Sequence, residues 1–130
     1  MYQHRERMRV AWADTDASGW IHCTAAFRWA EVAEHALLRR LGLAPPGTVG
    51  GFPRRHVEAT YHRPLRFGDE FDLVLTAERI GRTSVTYAWR AVRDGQACVE
   101  GRTVVVHVDR DATPVPLPRA LRDLAAGPPA

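Results

Sequence analysis

The stretch TAAFRWAEVAEHALLRRLGL, Thr24 to Leu43, constrains the fold more than any other part of this chain. Ala26, Ala30, Ala33, Leu37 and Leu41 recur at helical spacing and form one apolar stripe. Thr24 is placed to be the N-cap, and Gly42 to close the helix in the left-handed conformation. Arg39 and Arg40 suit the negative end of the helix dipole. The stripe is narrow where it begins and bulky where it ends. Methyl side chains hold a helix close to its neighbour, so this helix is expected to press on a flat surface, a sheet.

The rest of the chain supplies that sheet. Arg5–Ala13 reads RERMRVAWA, in which Met8, Val10 and Trp12 alternate with Arg7, Arg9 and Ala11. A period of two is the signature of a strand. After the helix, residues 44–53 (APPGTVGGFP) read as a mobile loop. Four further strands are expected at Arg55–Arg63, Asp69–Arg79, Thr83–Arg93 and Gln96–Asp109, each rich in β-branched and aromatic residues. They are punctuated by Pro64, Phe67-Gly68-Asp69, Gly81-Arg82 and Asp94-Gly95. Asp94-Gly95 matches a two-residue type I′ hairpin turn. A short helix at Pro118–Ala125 and a frayed tail over residues 126–130 complete the chain. The pattern is α+β, a single domain over residues 1–130, with one long helix against one antiparallel sheet.

Composition narrows the function. All 18 basic residues are arginine, and the net charge is +3. They are spread along the chain with acids between them, and nucleic-acid binding would need a basic stripe on one face. GC-rich coding is the simpler source of the arginine bias. No run approaches the ~18 apolar residues of a membrane span. The N-terminus MYQHRERMRV lacks the apolar core of a secretory signal. Cys23 and Cys98 form neither a disulfide framework nor a metal-ligand pair, so a cytoplasmic location is expected. The histidines His35, His56 and His62 have no ligand spacing, and no metal is expected.

The chemistry-bearing stretch is WADTDASGW, Trp12–Trp20. Two carboxylates precede a small-residue turn that runs straight into the helix start. Asp-Ala-Ser-Gly is good turn sequence, so Asp16 reads as an Asx-turn residue on local grounds alone. The start of a helix offers unpaired N–H groups and the positive end of a dipole.

DTDASGWIHCTAAFRWAE (Asp14–Glu31) resembles the opening motif of hot-dog fold acyl-CoA thioesterases of the 4-hydroxybenzoyl-CoA thioesterase type. The resemblance extends to Tyr61-His62-Arg63-Pro64-Leu65 with Gly68-Asp69, to Thr83-Ser84 with Asp94-Gly95, and to the tail PVPLPRALRDL. It implies a long central helix wrapped by a five-stranded antiparallel sheet, assembled as a homodimer or homotetramer with sites between subunits. The implied reaction is hydrolysis of a thioester on coenzyme A or on acyl-carrier-protein phosphopantetheine, with no cofactor beyond the substrate's own carrier.

The resemblance assigns Asp16 as the catalytic carboxylate, either nucleophile or general base, and the Cys23 backbone N–H as oxyanion donor. Asp14 is expected to brace the turn, and Gly19 to let the chain double back. Gly19, Ala25, Ala26, Glu31 and Thr60 are candidate substrate-binding residues, and Arg82 and Ser84, with Arg79, those for the carrier end. Glu31 could read a substrate hydroxyl, or else join Arg28 and His35 in an exposed charged face. The run Cys23-Thr24-Ala25-Ala26 is uniformly small where several members carry larger groups. A wider acyl pocket is therefore expected, for an aromatic or polyketide group.

Three rivals remain open. Cys23 could be a nucleophile, although adjacent His22 is poorly placed to be its base. A hot-dog dehydratase would want a histidine and an acid facing together, whereas Glu34 and His35 are neighbours. A catalytically silent acyl-binding module is the reading from another class, and the presence of Asp16 argues against it.

Overall fold

The computed structural model describes residues 2–43 and 50–126. Most of the 44–53 loop and all but the first residue of the 126–130 tail lie outside the described residues. Five strands form a single antiparallel sheet: β1 (Gln3–Arg9), β2 (Arg54–Tyr61), β3 (Glu70–Ile80), β4 (Ser84–Arg93) and β5 (Gln96–Val106). Their order across the sheet is β1-β3-β4-β5-β2. Helix α1 (Ala25–Arg40) follows β1, and a short α2 (Arg119–Arg122) closes the described chain with a 3-10 turn, Asp123–Ala126.

The strand limits agree with the periodicity to within about two or three residues, β1 excepted. β1 stops at Arg9, and Trp12–Asp14 turn into a 3-10 helix. The reason is local: the Asp14 Oδ2 accepts the Ala11 N–H at 2.9 Å, a donor that a longer strand would have to pair elsewhere. Met8 and Val10 face inward as the alternation requires, but Trp12 is left 71% exposed, edge-on to Phe67. The Asp94-Gly95 turn has positive φ at both residues, +52° and +76°, which is the type I′ geometry.

The alanine stripe does press on the sheet. Ala26, Ala30, Ala33 and Leu37 are buried, and burying Leu37 contributes about 2 kcal/mol. Trp29 lies on Phe71 of β3 with ring centroids 4.5 Å apart. Phe27 meets Trp89 of β4 edge-on at 5.7 Å. The helix ends as Gly42 predicts: the Leu43 N–H reaches the Leu38 carbonyl and the Gly42 N–H the Arg39 carbonyl, with Gly42 at φ +76°. Thr24 departs from expectation. It occupies the N-cap position without a side-chain cap, because its hydroxyl is engaged with His22 Nδ1 at 2.8 Å.

β2 is one of the two edge strands of the sheet, and its residues are almost all exposed, Val57 at 46% and Tyr61 at 44%. Arg54 begins this strand and reaches back to α1. Its guanidinium grips Glu34 at 2.6 and 3.0 Å, while Glu34 itself is only 3% exposed.

Candidate active site

The motif turn is a small hairpin stitched by backbone bonds. The Asp16 N–H donates to the Trp20 carbonyl at 2.9 Å, and Thr15 bridges Ile21. The His22 N–H donates to the Asp14 carbonyl at 2.7 Å, and Ile21 is tied to Leu65 in the segment before β3. Gly19 stands at φ +86°, a conformation that a side chain would strain. The turn therefore hands the chain directly to the start of α1.

The two acids have different surroundings. Asp14 is 9% exposed and fully engaged. Its Oδ1 takes the Arg28 guanidinium at 2.9 Å, and its Oδ2 takes the Trp29 indole N–H at 3.2 Å as well as the Ala11 N–H. It bolts the turn to the first turns of the helix. Asp16 is open to solvent, and its Oδ1 accepts the Ser18 N–H at 2.8 Å and the Ser18 hydroxyl. The Asx turn that local sequence predicts is present, and it uses only one carboxylate oxygen. Oδ2 has no partner among the described residues. The Ser18 hydroxyl, then the Ser18 N–H, hold the Asp16 carboxyl below the usual carboxylate range, slight burial opposes them, and nearby His22 adds to the lowering.

At the helix start, the peptide joining His22 to Cys23 is fixed by its carbonyl, which accepts the Ala25 N–H at 2.9 Å. Its N–H, that of Cys23, meets no acceptor among the described residues. The following carbonyl, of Cys23, accepts the Tyr61 hydroxyl from β2. The Thr24 N–H donates to His22 Nδ1 at 3.2 Å, so neutral His22 carries its proton on Nε2. A free amide held from both sides, next to a carboxylate with one free oxygen, can stabilise an oxyanion and deliver a base or nucleophile. The Cys23 thiol is exposed, 4.0 Å from His22 Nδ1.

Two open hollows meet at Trp20. One, about 390 Å³, is lined by Ser18, Gly19, Trp20, Arg66 and Phe67. The other, about 260 Å³, is lined by Trp20, Ile21, Tyr61, His62, Arg63 and Pro64. The Arg66 guanidinium lies 4.0 Å over the Trp20 ring.

The remaining candidates are placed less closely. Glu31 stands about 10 Å along α1 from Thr24, half-exposed, with His35 and Arg54 each at 3.8 Å. Arg28 does not share a charged face with it, because Asp14 captures Arg28. Ala25 and Ala26 are fully buried against the core, so in the single chain the space beside them is filled by protein rather than by a pocket. Thr60 turns away from the helix: Tyr61 reaches Cys23, and successive strand residues face opposite ways. Thr60 instead borders a hollow with Glu58, Arg90, Glu100 and Arg102 on the other face. Arg79, Arg82 and Ser84 lie at the far end of β3, roughly 30 Å from the motif turn beside Glu70. The sequence assigns no site role to Ser18 or to Tyr61, although Tyr61 opens one of the segments that carry the resemblance. Ser18 had a signal, a hydroxyl two residues after an Asx-turn acid, whereas the Tyr61 contact spans 38 residues and had none.

Among the described residues no group of histidine, cysteine or acid side chains could hold a metal ion, and no helix is long and apolar enough to cross a membrane.

The chain is similar to known proteins along nearly its whole length. It is 28% identical over 110 residues to a 1,4-dihydroxy-2-naphthoyl-CoA hydrolase of Prochlorococcus marinus (strain NATL2A), covering 76% of this chain and 70% of that protein. The crystal structure of the PA5185 protein of Pseudomonas aeruginosa PAO1 superposes with a TM-score of 0.86 at 30% identity, covering 95% of this chain and 90% of the other. A 1,4-dihydroxy-2-naphthoyl-CoA thioesterase of Synechocystis shares the fold, with a TM-score of 0.87 over 97% of each chain at 18% identity. Residues 10–124 match the Thioesterase-like superfamily, so the chain belongs to that family of hot-dog proteins and is a thioester hydrolase.

Proposed function

We propose that this protein hydrolyses an acyl-CoA thioester carrying a bulky aromatic acyl group, with Asp16 as the reacting carboxylate and the Cys23 N–H as oxyanion donor. One observation carries the reading: Asp16 has a free, ionised oxygen on the same short hairpin that feeds an unpartnered amide at the helix start. In the reaction water attacks the thioester carbonyl, or Asp16 Oδ2 attacks first and water then cleaves the resulting anhydride and frees Asp16. The carbonyl oxygen gathers negative charge at the Cys23 N–H, the C–S bond breaks, and the sulfur leaves as coenzyme A thiolate. The water's proton passes to carboxylate and then to solvent, leaving the free acid. The aromatic acyl group rests on relatives named for 1,4-dihydroxy-2-naphthoyl-CoA. Glu31, about 10 Å from the helix start, is then placed to meet a ring hydroxyl.

The working unit is a homodimer joined through β2. The outer edge of that strand has no strand partner among the described residues, and its helix-side residues Val57 and Tyr61 are left uncovered by the chain's own helix. Antiparallel pairing of two β2 strands would bring the partner copy's 81–84 hairpin to the end of the sheet that carries Asp16. The distant Arg82 and Ser84 would then reach the carrier end of the substrate.

The test is a thioester panel with Asp16→Asn and Asp16→Ala. Aromatic acyl-CoA should be the best substrate, and each change should lower kcat by at least ~100-fold. Turnover within tenfold of the unmodified protein in both variants would refute the role of Asp16. Preference for acetyl- or propionyl-CoA would refute the acyl class.

A further inference from the structure

Ser18 places two donors on one carboxylate oxygen. Its N–H donates to Asp16 Oδ1 at 2.8 Å, and its hydroxyl donates to the same oxygen. The hydroxyl oxygen in turn faces the Trp20 N–H at 3.4 Å. An N–H can only donate, so the Ser18 oxygen is the acceptor there and its single proton is directed at Asp16. The Asp16 backbone is held independently, its N–H by the Trp20 carbonyl and its carbonyl by the Gly19 N–H at 3.1 Å. With the backbone fixed, the only freedom left to Asp16 is rotation of its side chain. Two donors converging on Oδ1 remove that rotation and leave Oδ2 as the one exposed lone-pair donor.

From this geometry we infer that Ser18 is a positioning residue for the reaction: it clamps Asp16 through Oδ1 so that Oδ2 alone is presented to the thioester. The inference rests on Asp16 being the reacting carboxylate. It also reconciles the two local readings of Asp16, since turn and chemistry use different oxygens of one group. The clamp is strongest on an ionised Asp16, because both bonds to Oδ1 are then charge-assisted. The only titrating neighbour acting on Asp16 among the described residues is His22, from the segment leading into α1. Ser18 is itself neutral, so replacing it changes hydrogen bonding and adds no charge.

The experiment compares Ser18→Ala, which removes the hydroxyl and keeps the N–H, with Ser18→Thr, which keeps both. Ser18→Ala should lower kcat about tenfold, the scale of a reacting group released from its productive orientation. KM for the same acyl-CoA should change less than about twofold, because Ser18 acts through Asp16. The acid limb of the kcat/KM profile, and the titration of the Asp16 carboxyl followed by carbon NMR, should both move to higher pH in Ser18→Ala. Ser18→Thr should restore kcat and both titrations. Unchanged kcat and an unchanged acid limb in Ser18→Ala would overturn the inference, as would failure of Ser18→Thr to restore them. Asp16→Asn separates the two levels. If it is inactive while Ser18→Ala behaves as the unmodified enzyme, only the clamp falls. If Asp16→Asn stays active, the carboxylate reading falls and the clamp with it.

Discussion

Gly101 on β5 lies directly beneath the indole of Trp89, its cross-strand partner on β4. A methyl group built on Gly101 would sit 2.6 Å from Trp89 Cη2 and would also overlap the Glu58 carbonyl on β2. Trp89 cannot withdraw, because its indole N–H is bonded to Thr103 at 3.1 Å and its ring abuts Phe27 of the helix. Gly101→Ala should therefore cost roughly 3 kcal/mol, the upper range for overpacking a filled core. Chemical denaturation measures this; a loss below about 1 kcal/mol would mean the sheet accommodates the methyl.

Arg54 and Glu34 give a pH-dependent prediction. Burial pushes the Glu34 carboxyl up, and the bidentate Arg54 guanidinium opposes that push. A group with a raised folded value contributes fully below its unfolded value, and loses that contribution as pH rises through the folded one. In Arg54→Met the opposing charge is gone and Glu34 must ionise unpaired. The variant should be only slightly less stable near pH 5 and roughly 3 kcal/mol less stable near pH 8. Denaturation at both pH values checks it, and a loss that is flat with pH would contradict it.

Asp14 and Asp16 should separate cleanly in kinetics and stability. Asp14→Asn weakens the bolt to Arg28 and Trp29, so it should cost about 2 kcal/mol of stability. Its effect on kcat should stay well below that of Asp16→Asn, which is expected to leave the melting temperature nearly unchanged because Asp16 is exposed. The reverse pattern would exchange their roles.

Tyr61→Phe removes the hydroxyl that holds the Cys23 carbonyl. A severalfold fall in kcat is expected with little change in melting temperature, since Tyr61 is 44% exposed. Full activity in this variant would show that the amide is held sufficiently by the Ala25 N–H.

Val57→Asp tests the β2 edge. A charge on this exposed apolar position should block pairing of two copies and convert a dimer to a monomer, with activity lost in parallel. Light scattering at micromolar concentration reads the mass. A monomeric unmodified protein, or a variant that stays dimeric, would remove β2 as the interface.

Sequence determined the local elements and their chemistry. The 3.6-residue stripe of Ala26, Ala30, Ala33 and Leu37, the period-two strands, the Asp94-Gly95 turn and the left-handed Gly19 and Gly42 depend only on near neighbours. The same is true of the Ser18 contacts to Asp16. Tertiary structure decided everything that depends on contacts distant in sequence. It paired β1 with β3 and β2 with β5, gave Arg28 and Trp29 to Asp14, and brought Tyr61 to Cys23. It also turned Thr60 to the opposite face and put Arg82 and Ser84 at the far end of the sheet. Facing in a strand reverses with each residue, and strand order follows from how the whole chain buries its apolar area, so neither could be read from the segments alone.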